Sequence, residues 1–250
     1  MTHALGIDIG GTGIKGAIVD TETGELVTER FKLLTPKGGV PQPMIDTAAA
    51  LVKEIPGADE PIPVGIAFPT IVKNGLTLSA GNISKEWIGL DGRALFATAL
   101  DRHVDLVNDA DAAGYAELHY GAAKGVQGLV ILTTLGTGIG SAFIYNGVLV
   151  PNTEFGFLEL DGEIAEARAS YRAKEEDDLD WKQWAKRLQR FYTHLERVFS
   201  PDLFIVGGGV SKNSDDFLPL LNLSTPIVSA VHRNNSGILG AAAIAATALA

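Results

Sequence analysis

The chain has 250 residues, 46% of them hydrophobic and 20% charged, enough for one large domain or two moderate ones with a sizeable core. A net charge of −10 argues against a nucleic-acid binder, which needs a basic face to displace counterions. The absence of cysteine removes disulfides, thiolate zinc sites and thiol catalysis, and the five histidines lack the paired helical spacing of an imidazole metal site.

The N-terminus reads directly into a strand, with no signal peptide pattern, and no apolar run has the length of a bilayer span. The expected location is the cytoplasm, without a membrane partner. Residues 4–8 and 14–20 read as strands joined by a glycine turn, and 25–33 as a third strand, a meander with the turn at its first corner. Apolar positions at helical spacing predict a helix over 43–55, stopped by Pro56 and Gly57. A strand over 64–68 follows, then an ordered loop over 75–87 whose Asn82 and Trp87 suit sugar contacts.

A helix over 92–100 leads to a strand over 103–107 that ends at Asn108-Asp109, and an alanine-rich helix comes next. Strands over 128–134 and 140–145 flank a second glycine turn, repeating the opening pattern of the chain without a close sequence repeat. Residues 163–199 predict two helices with a break near Asp177-Asp178. A buried strand over 203–206 runs into Gly207-Gly208-Gly209, and the chain closes with an alanine-rich helix from Gly237.

The two turns, Asp8-Ile9-Gly10-Gly11-Thr12-Gly13-Ile14-Lys15 and Leu135-Gly136-Thr137-Gly138-Ile139-Gly140-Ser141, carry the chemistry. Glycines bring backbone N–H groups close to a phosphate, Thr12 and Thr137 add hydroxyls, and Asp8 is placed to hold a water of Mg²⁺. A plain hairpin with a capping aspartate explains either turn alone; two such turns around a candidate base point to phosphoryl transfer. No Gly-Lys-Ser/Thr ending opens a helix, so neither is a Walker loop. Asp109, at a strand end, suits a general base for an attacking hydroxyl, with Asp111 as its competitor, since an acid at a helix start commonly caps. Glu154 reads either as a sugar ligand or as a surface carboxylate, and Gly208 and Gly209 either as a nucleotide-side turn or as a simple change of direction.

These segments in this order resemble the ROK family of sugar kinases, within the actin-like ATPase superfamily, over essentially the whole chain. Together with Leu160-Asp-Gly-Glu-Ile-Ala-Glu166, the two turns look like the polyphosphate glucokinase subgroup. The resemblance implies an α/β fold of two domains, 1–107 and 108–236, with the active site in the interdomain cleft and the C-terminal helix, about 237–250, packing back on the first. It implies transfer to the 6-hydroxyl of glucose, and of mannose, from inorganic polyphosphate or ATP, with Mg²⁺ as cofactor, no zinc, and a homodimer. Asp109 then acts as base; Asn82, Asn108, Asp109 and Glu154 hold the hexose. Asp8, Gly10, Gly11, Thr12, Gly13, Lys15, Thr134, Gly136, Thr137, Gly138, Gly208 and Gly209 serve the donor.

One departure is informative. The Glu-x-Gly-His sugar motif of the family reads Glu154-Phe155-Gly156-Phe157 here, so an imidazole near the first and second sugar carbons is replaced by an apolar ring. Loss of that polar check on the C2 epimer is the expected route to mannose use. For a long polyphosphate, Lys15, Lys85, Arg93, Lys124, Lys212 and Arg233 are the candidate cations. The alternatives are a ROK-type sugar-binding regulator without catalysis, an actin-like filament protein, and a kinase for another hexose. Asp8 stands too near the start of this sequence for a preceding helix-turn-helix, and Asn108-Asp109 with Glu154 speak against the filament reading.

Overall fold

The computed structural model describes residues 2–248. They fall into two compact units, Met1–Ala116 with Asn235–Ala250, and Glu117–Asn234. The units share one strand plan.

In the first unit, β1 (His3–Ile9) and β2 (Ile14–Asp20) pair antiparallel across the first glycine turn. The third strand of the meander is two short pieces, β3 (Glu25–Leu26) and β4 (Phe31–Leu33), both paired with β2. The interruption has a local cause. The Thr28 hydroxyl accepts the Ile18 N–H, taking the place of a backbone carbonyl, so the ladder breaks and resumes. Helix α1 (Pro41–Glu54) follows, with Met44, Ile45, Ala48 and Leu51 buried. Next comes β5 (Val64–Phe68), buried at every position and parallel to β1, as a both-faced strand in a layered α/β unit must be.

The expected loop over 75–87 is more ordered than its composition implies. It contains part of a hairpin, β6 (Val72–Lys73) with β7 (Leu76–Thr77), and a 3₁₀ turn over Lys85–Trp87. Trp87 is a correction. Its ring is fully buried against Phe68 and Phe96, and its indole N–H donates to the Gly39 carbonyl at 3.0 Å, so it belongs to the core and not to a sugar site. Helix α2 (Gly92–Leu100) starts at Asp91, whose carboxylate accepts the Ala94 N–H, and leads to β8 (Asp105–Asn108), parallel to β5. The sheet order is β3-β2-β1-β5-β8, with β4 also on β2.

Helix α3 (Asp109–Tyr120) crosses from the first unit to the second. In the second unit β9 (Leu129–Leu135) and β10 (Ile139–Tyr145) form the second glycine-turn hairpin, extended by β11 (Val148–Val150). After the small hairpin of β12 (Glu159–Leu160) and β13 (Glu163–Ile164), three helices replace the expected two: α4 (Ala165–Ala169), α5 (Tyr171–Glu176) and α6 (Trp181–Phe199). The break at Asp177-Asp178 is present; the additional one is Ser170, which ends α4 and caps α5 through the Ala173 N–H. A capping box of Asp180 and Gln183 opens α6, whose Trp184, Leu188, Phe191 and Leu195 face the core.

Strand β14 (Leu203–Gly207) runs parallel to β9, α7 (Ser214–Phe217) follows, and β15 (Ile227–Ser229) pairs parallel with β14. The order β11-β10-β9-β14-β15 repeats the plan of the first sheet: an antiparallel hairpin followed by two parallel additions. The duplication legible as a sequence pattern is thus a duplication of topology.

Helix α8 (Ser236–Ala248) belongs to the first unit and packs on β1 and β5; the remainder of the expected C-terminal helix, residues 249–250, lies outside the described residues. A Cβ at Gly6 or Gly65 would meet the Ile238 or Ala241 carbonyl, so helix and sheet backbones approach directly. The same closeness holds between Gly240 and Ala112 in α3. Small residues on α8 are what this contact needs: Ala241 packs with Ala67 of β5 and Ala112 of α3. Among the described residues no helix is long and apolar enough to cross a membrane.

Candidate active site

In the first unit the candidate residues gather at the C-terminal ends of the parallel strands, the usual place for a ligand in an α/β sheet. The ladder runs Asp8 opposite Ala67 and Ala67 opposite Val107, with Asn108 opposite Phe68, so Asp8 and Asn108-Asp109 share one sheet edge. The glycine turn is closed by the Gly10 N–H donating to the Gly13 carbonyl at 3.0 Å. A residue missed in the sequence also holds it: the Thr35 hydroxyl donates to the Gly10 carbonyl. Gly11 and Thr12 stand exposed at the tip, and the Asn82 backbone lies alongside Gly11. That brings Asn82 to the turn while Trp87, five residues on, stays inside.

Lys15 faces Asp8. The two are cross-strand partners, and the ammonium meets the carboxylate at 3.1 Å, both groups about one-fifth exposed. The Asp8 carboxylate also lies against Gly237 in the first turn of α8, where a helix favours negative charge. One fixed carboxylate beside a glycine turn fits Mg²⁺, which takes most of its ligands from water and phosphate oxygens. Among the described residues no group of three metal-ligating side chains offers an all-protein cage.

Asn108 is buried and largely committed to structure. Its carbonyl oxygen accepts the Ala110 and Asp111 N–H groups at 2.9 and 3.0 Å, capping α3, and its amide donates to the Thr70 carbonyl at 3.0 Å. One amide hydrogen is left over from this arrangement. Asp109 is half-buried, with one carboxylate oxygen accepting the Ala110 N–H at 2.8 Å. Asp111 is only 3% exposed. A hydroxyl arriving from solvent reaches Asp109 and not Asp111, which separates two carboxylates that spacing alone leaves nearly equal.

The second unit has its own cluster at the matching sheet end. Thr134 stands opposite both Gly140 and Gly207, so the turn over 136–138 and the Gly207–Gly209 bend adjoin. The Gly136 N–H donates to the Gly138 carbonyl at 3.0 Å, echoing the first turn, and the Arg172 N–H donates to the Gly136 carbonyl at 3.1 Å. Thr137 is exposed at the tip. Gly208 has φ +83°, and a Cβ there would meet the Leu135 backbone at 2.5 Å; the bend therefore turns the chain and seats it on the turn at once. Behind this edge, Thr133 and Tyr192 share a buried hydrogen bond of 2.6 Å, and burial pushes the Tyr192 phenol up, so it stays protonated.

Glu154 precedes a 3₁₀ turn over Phe155–Phe157 and is half-buried. Ser141, the closing residue of the second turn's segment, fixes this stretch: its hydroxyl donates to the Thr153 carbonyl at 2.7 Å and accepts the Phe155 N–H at 2.9 Å. Phe157 is 52% exposed and has no core duty. Of the six candidate cations, Lys15 is at the first turn; Lys85 is in the 3₁₀ turn near Asn82, Arg93 contacts the Asn74 carbonyl, and Lys212 follows the Gly209 bend. Lys124 follows α3, and Arg233 stands in the turn before α8.

Comparison with known proteins gives this arrangement a context. The ROK family profile matches residues 4–165. The chain is 47% identical over 241 residues to a polyphosphate glucokinase of Mycobacterium tuberculosis (strain CDC 1551 / Oshkosh), covering 96% of this chain and 90% of that protein. The crystal structure of an inorganic polyphosphate/ATP-glucomannokinase from Arthrobacter sp. strain KM is 50% identical, with a TM-score of 0.95 over 99% of this chain and 100% of that one. A ROK family glucokinase from Streptomyces griseus, in complex with glucose and AMPPNP, shares the fold at 23% identity, with a TM-score of 0.85 over 98% of this chain and 99% of that one. The chain belongs to the ROK family and has its two-domain actin-like ATPase fold.

Proposed function

We propose that this protein is a hexose kinase that moves the terminal phosphoryl group of inorganic polyphosphate or ATP to the 6-hydroxyl of glucose, and of mannose. The observation that carries the reading is the shared sheet edge of Asp8, the first glycine turn and Asn108-Asp109, with a half-exposed carboxylate beside a phosphate turn. The relatives at 47% and 50% identity support the donor and acceptor classes.

In this reading Asp109 accepts the 6-hydroxyl proton as the oxygen attacks phosphorus. The bond from phosphorus to the bridging oxygen breaks, and the shortened donor leaves with the electron pair. Asn82, the free amide hydrogen of Asn108, Asp109 and Glu154 hold the sugar hydroxyls. Gly10 shapes the first turn by giving its N–H to the Gly13 carbonyl, and backbone N–H groups of Gly11, Thr12 and Gly13, the Lys15 ammonium, and Thr134, Gly136, Thr137, Gly138, Gly208 and Gly209 serve the donor phosphates. Asp8 would hold Mg²⁺ through a water, and the ion would offset charge on the phosphate oxygens. Mannose use follows from Phe157, which offers no polar check at C2. A cytoplasmic homodimer completes the proposal.

The test is hexose 6-phosphate formation by purified protein with Mg²⁺, crossing glucose and mannose with ATP and polyphosphate. Product from both donors is expected. No product from any pair, with sugar binding retained, would favour a sugar-binding regulator instead.

A further inference from the structure

We propose that Lys32 is a donor-binding residue, whose ammonium takes non-bridging oxygens of the donor at the first glycine turn; the proposal rests on the kinase reading and extends it. Residues paired directly across strands point to the same face of a sheet. Asp8 pairs with Lys15 and Lys15 pairs with Lys32, so the three side chains form a row across β1, β2 and β4. The row carries two cations and one anion. Lys15 is held by Asp8 at 3.1 Å. Lys32 is exposed, and among the described residues it makes no ion pair.

Lys32 also has a defined path. A Cβ built on Gly13 would stand 2.5 Å from Lys32 Cε and 3.5 Å from its Nζ. The side chain crosses the turn at Gly13, and the absence of a side chain there is what lets it pass. Among the described residues β4 pairs only with β2, and a lysine on such an edge is ordinarily a solvated guard against strand addition. A guard projects into water from the edge. Lys32 lies instead across the turn, on a segment that Thr35, three residues on, ties to Gly10. In a chain of net charge −10, an unpaired ammonium held over backbone donors makes a local seat for a polyanion. Spacing alone did not single it out, because Lys32 and Gly13 are distant in sequence and meet only through the β2–β4 pairing.

The direct probe is tripolyphosphate binding by calorimetry, which needs no turnover, beside steady-state kinetics with polyphosphate and ATP. Lys32→Met should weaken tripolyphosphate binding and raise KM for both donors by about 10- to 100-fold, the loss of one charge-assisted contact. KM for glucose and the melting temperature should stay unchanged. The slope of log Kd against log salt should fall by about one, as one fewer counterion is exchanged. Lys32→Arg should recover most of the binding, and Lys186→Met, which removes the same charge from α6, should leave affinity and slope as in the wild type. Wild-type tripolyphosphate affinity and salt slope in Lys32→Met would overturn the proposal while leaving an active kinase intact. A wild-type protein that binds no tripolyphosphate would overturn it as well. Binding that weakens in Lys32→Met, in a protein that makes no hexose phosphate, would support the anion seat and reject the kinase.

Discussion

Glu166 buttresses the second glycine turn at Gly138: its carboxylate accepts the Ile139 N–H at 3.1 Å and fills the space that a side chain on Gly138 would need. In the proposed kinase this turn takes donor phosphate, which a neighbouring carboxylate would repel; holding the turn's exit is the structural task that Glu166 performs there. Glu166→Ala should loosen the turn and raise donor KM several-fold with little change in glucose KM, whereas Glu166→Gln, which still accepts the N–H, should retain most of the affinity. Steady-state kinetics with each substrate varied in turn checks the split; equal effects of the two substitutions would reject the buttress.

Trp87 supplies a contrast between core and site. Fully buried and packed on Phe68 and Phe96, it should cost about 3–5 kcal/mol of stability as Trp87→Ala, through lost burial and a cavity. Trp87→Phe keeps most of the packing and leaves the Gly39 carbonyl with the Ser84 N–H as its remaining donor, so the lost hydrogen bond costs a smaller amount, about 0.5–1.5 kcal/mol. Denaturant unfolding reads both. A folded Trp87→Ala protein with normal stability and raised glucose KM would restore the sugar-contact role.

Phe157 bears on sugar choice. Half-exposed and beside Glu154, it can be replaced without disturbing the core. Phe157→His should shift the ratio of glucose to mannose kcat/KM by about tenfold or more toward glucose, because the imidazole meets the correct epimer and is left unpaired by the other. An unchanged ratio would remove Phe157 from specificity.

Much of the architecture was legible because punctuation and apolar runs are local signals. The hairpins around Gly10–Gly13 and Gly136–Gly138, the strand Val64–Phe68 and the helix Gly92–Leu100 each announce themselves within a few residues. What escaped depends on partners far along the chain. Trp87 reads as a sugar platform until Gly39 takes its indole N–H, and Thr28 reads as strand until its hydroxyl reaches Ile18. Ser170 splits a helical pattern by capping its own neighbour. In the candidate site the glycines and carboxylates stood out by type; Ser141 and Glu166 fell at the ends of segments singled out in the sequence, but their supporting hydrogen bonds were not legible there, and Thr35 and Lys32, which hold or flank the first turn, carry no motif of their own.

The central claim is that Asp109 removes the acceptor proton at the sheet edge beside the first glycine turn. Asp109→Asn, with glucose binding and turnover measured on the same preparation, tests it most directly. The amide keeps hydrogen-bonding capacity but loses basicity, so glucose Kd should stay within about threefold while kcat falls by about 10²- to 10⁴-fold. A near-normal kcat with normal glucose binding would contradict the account.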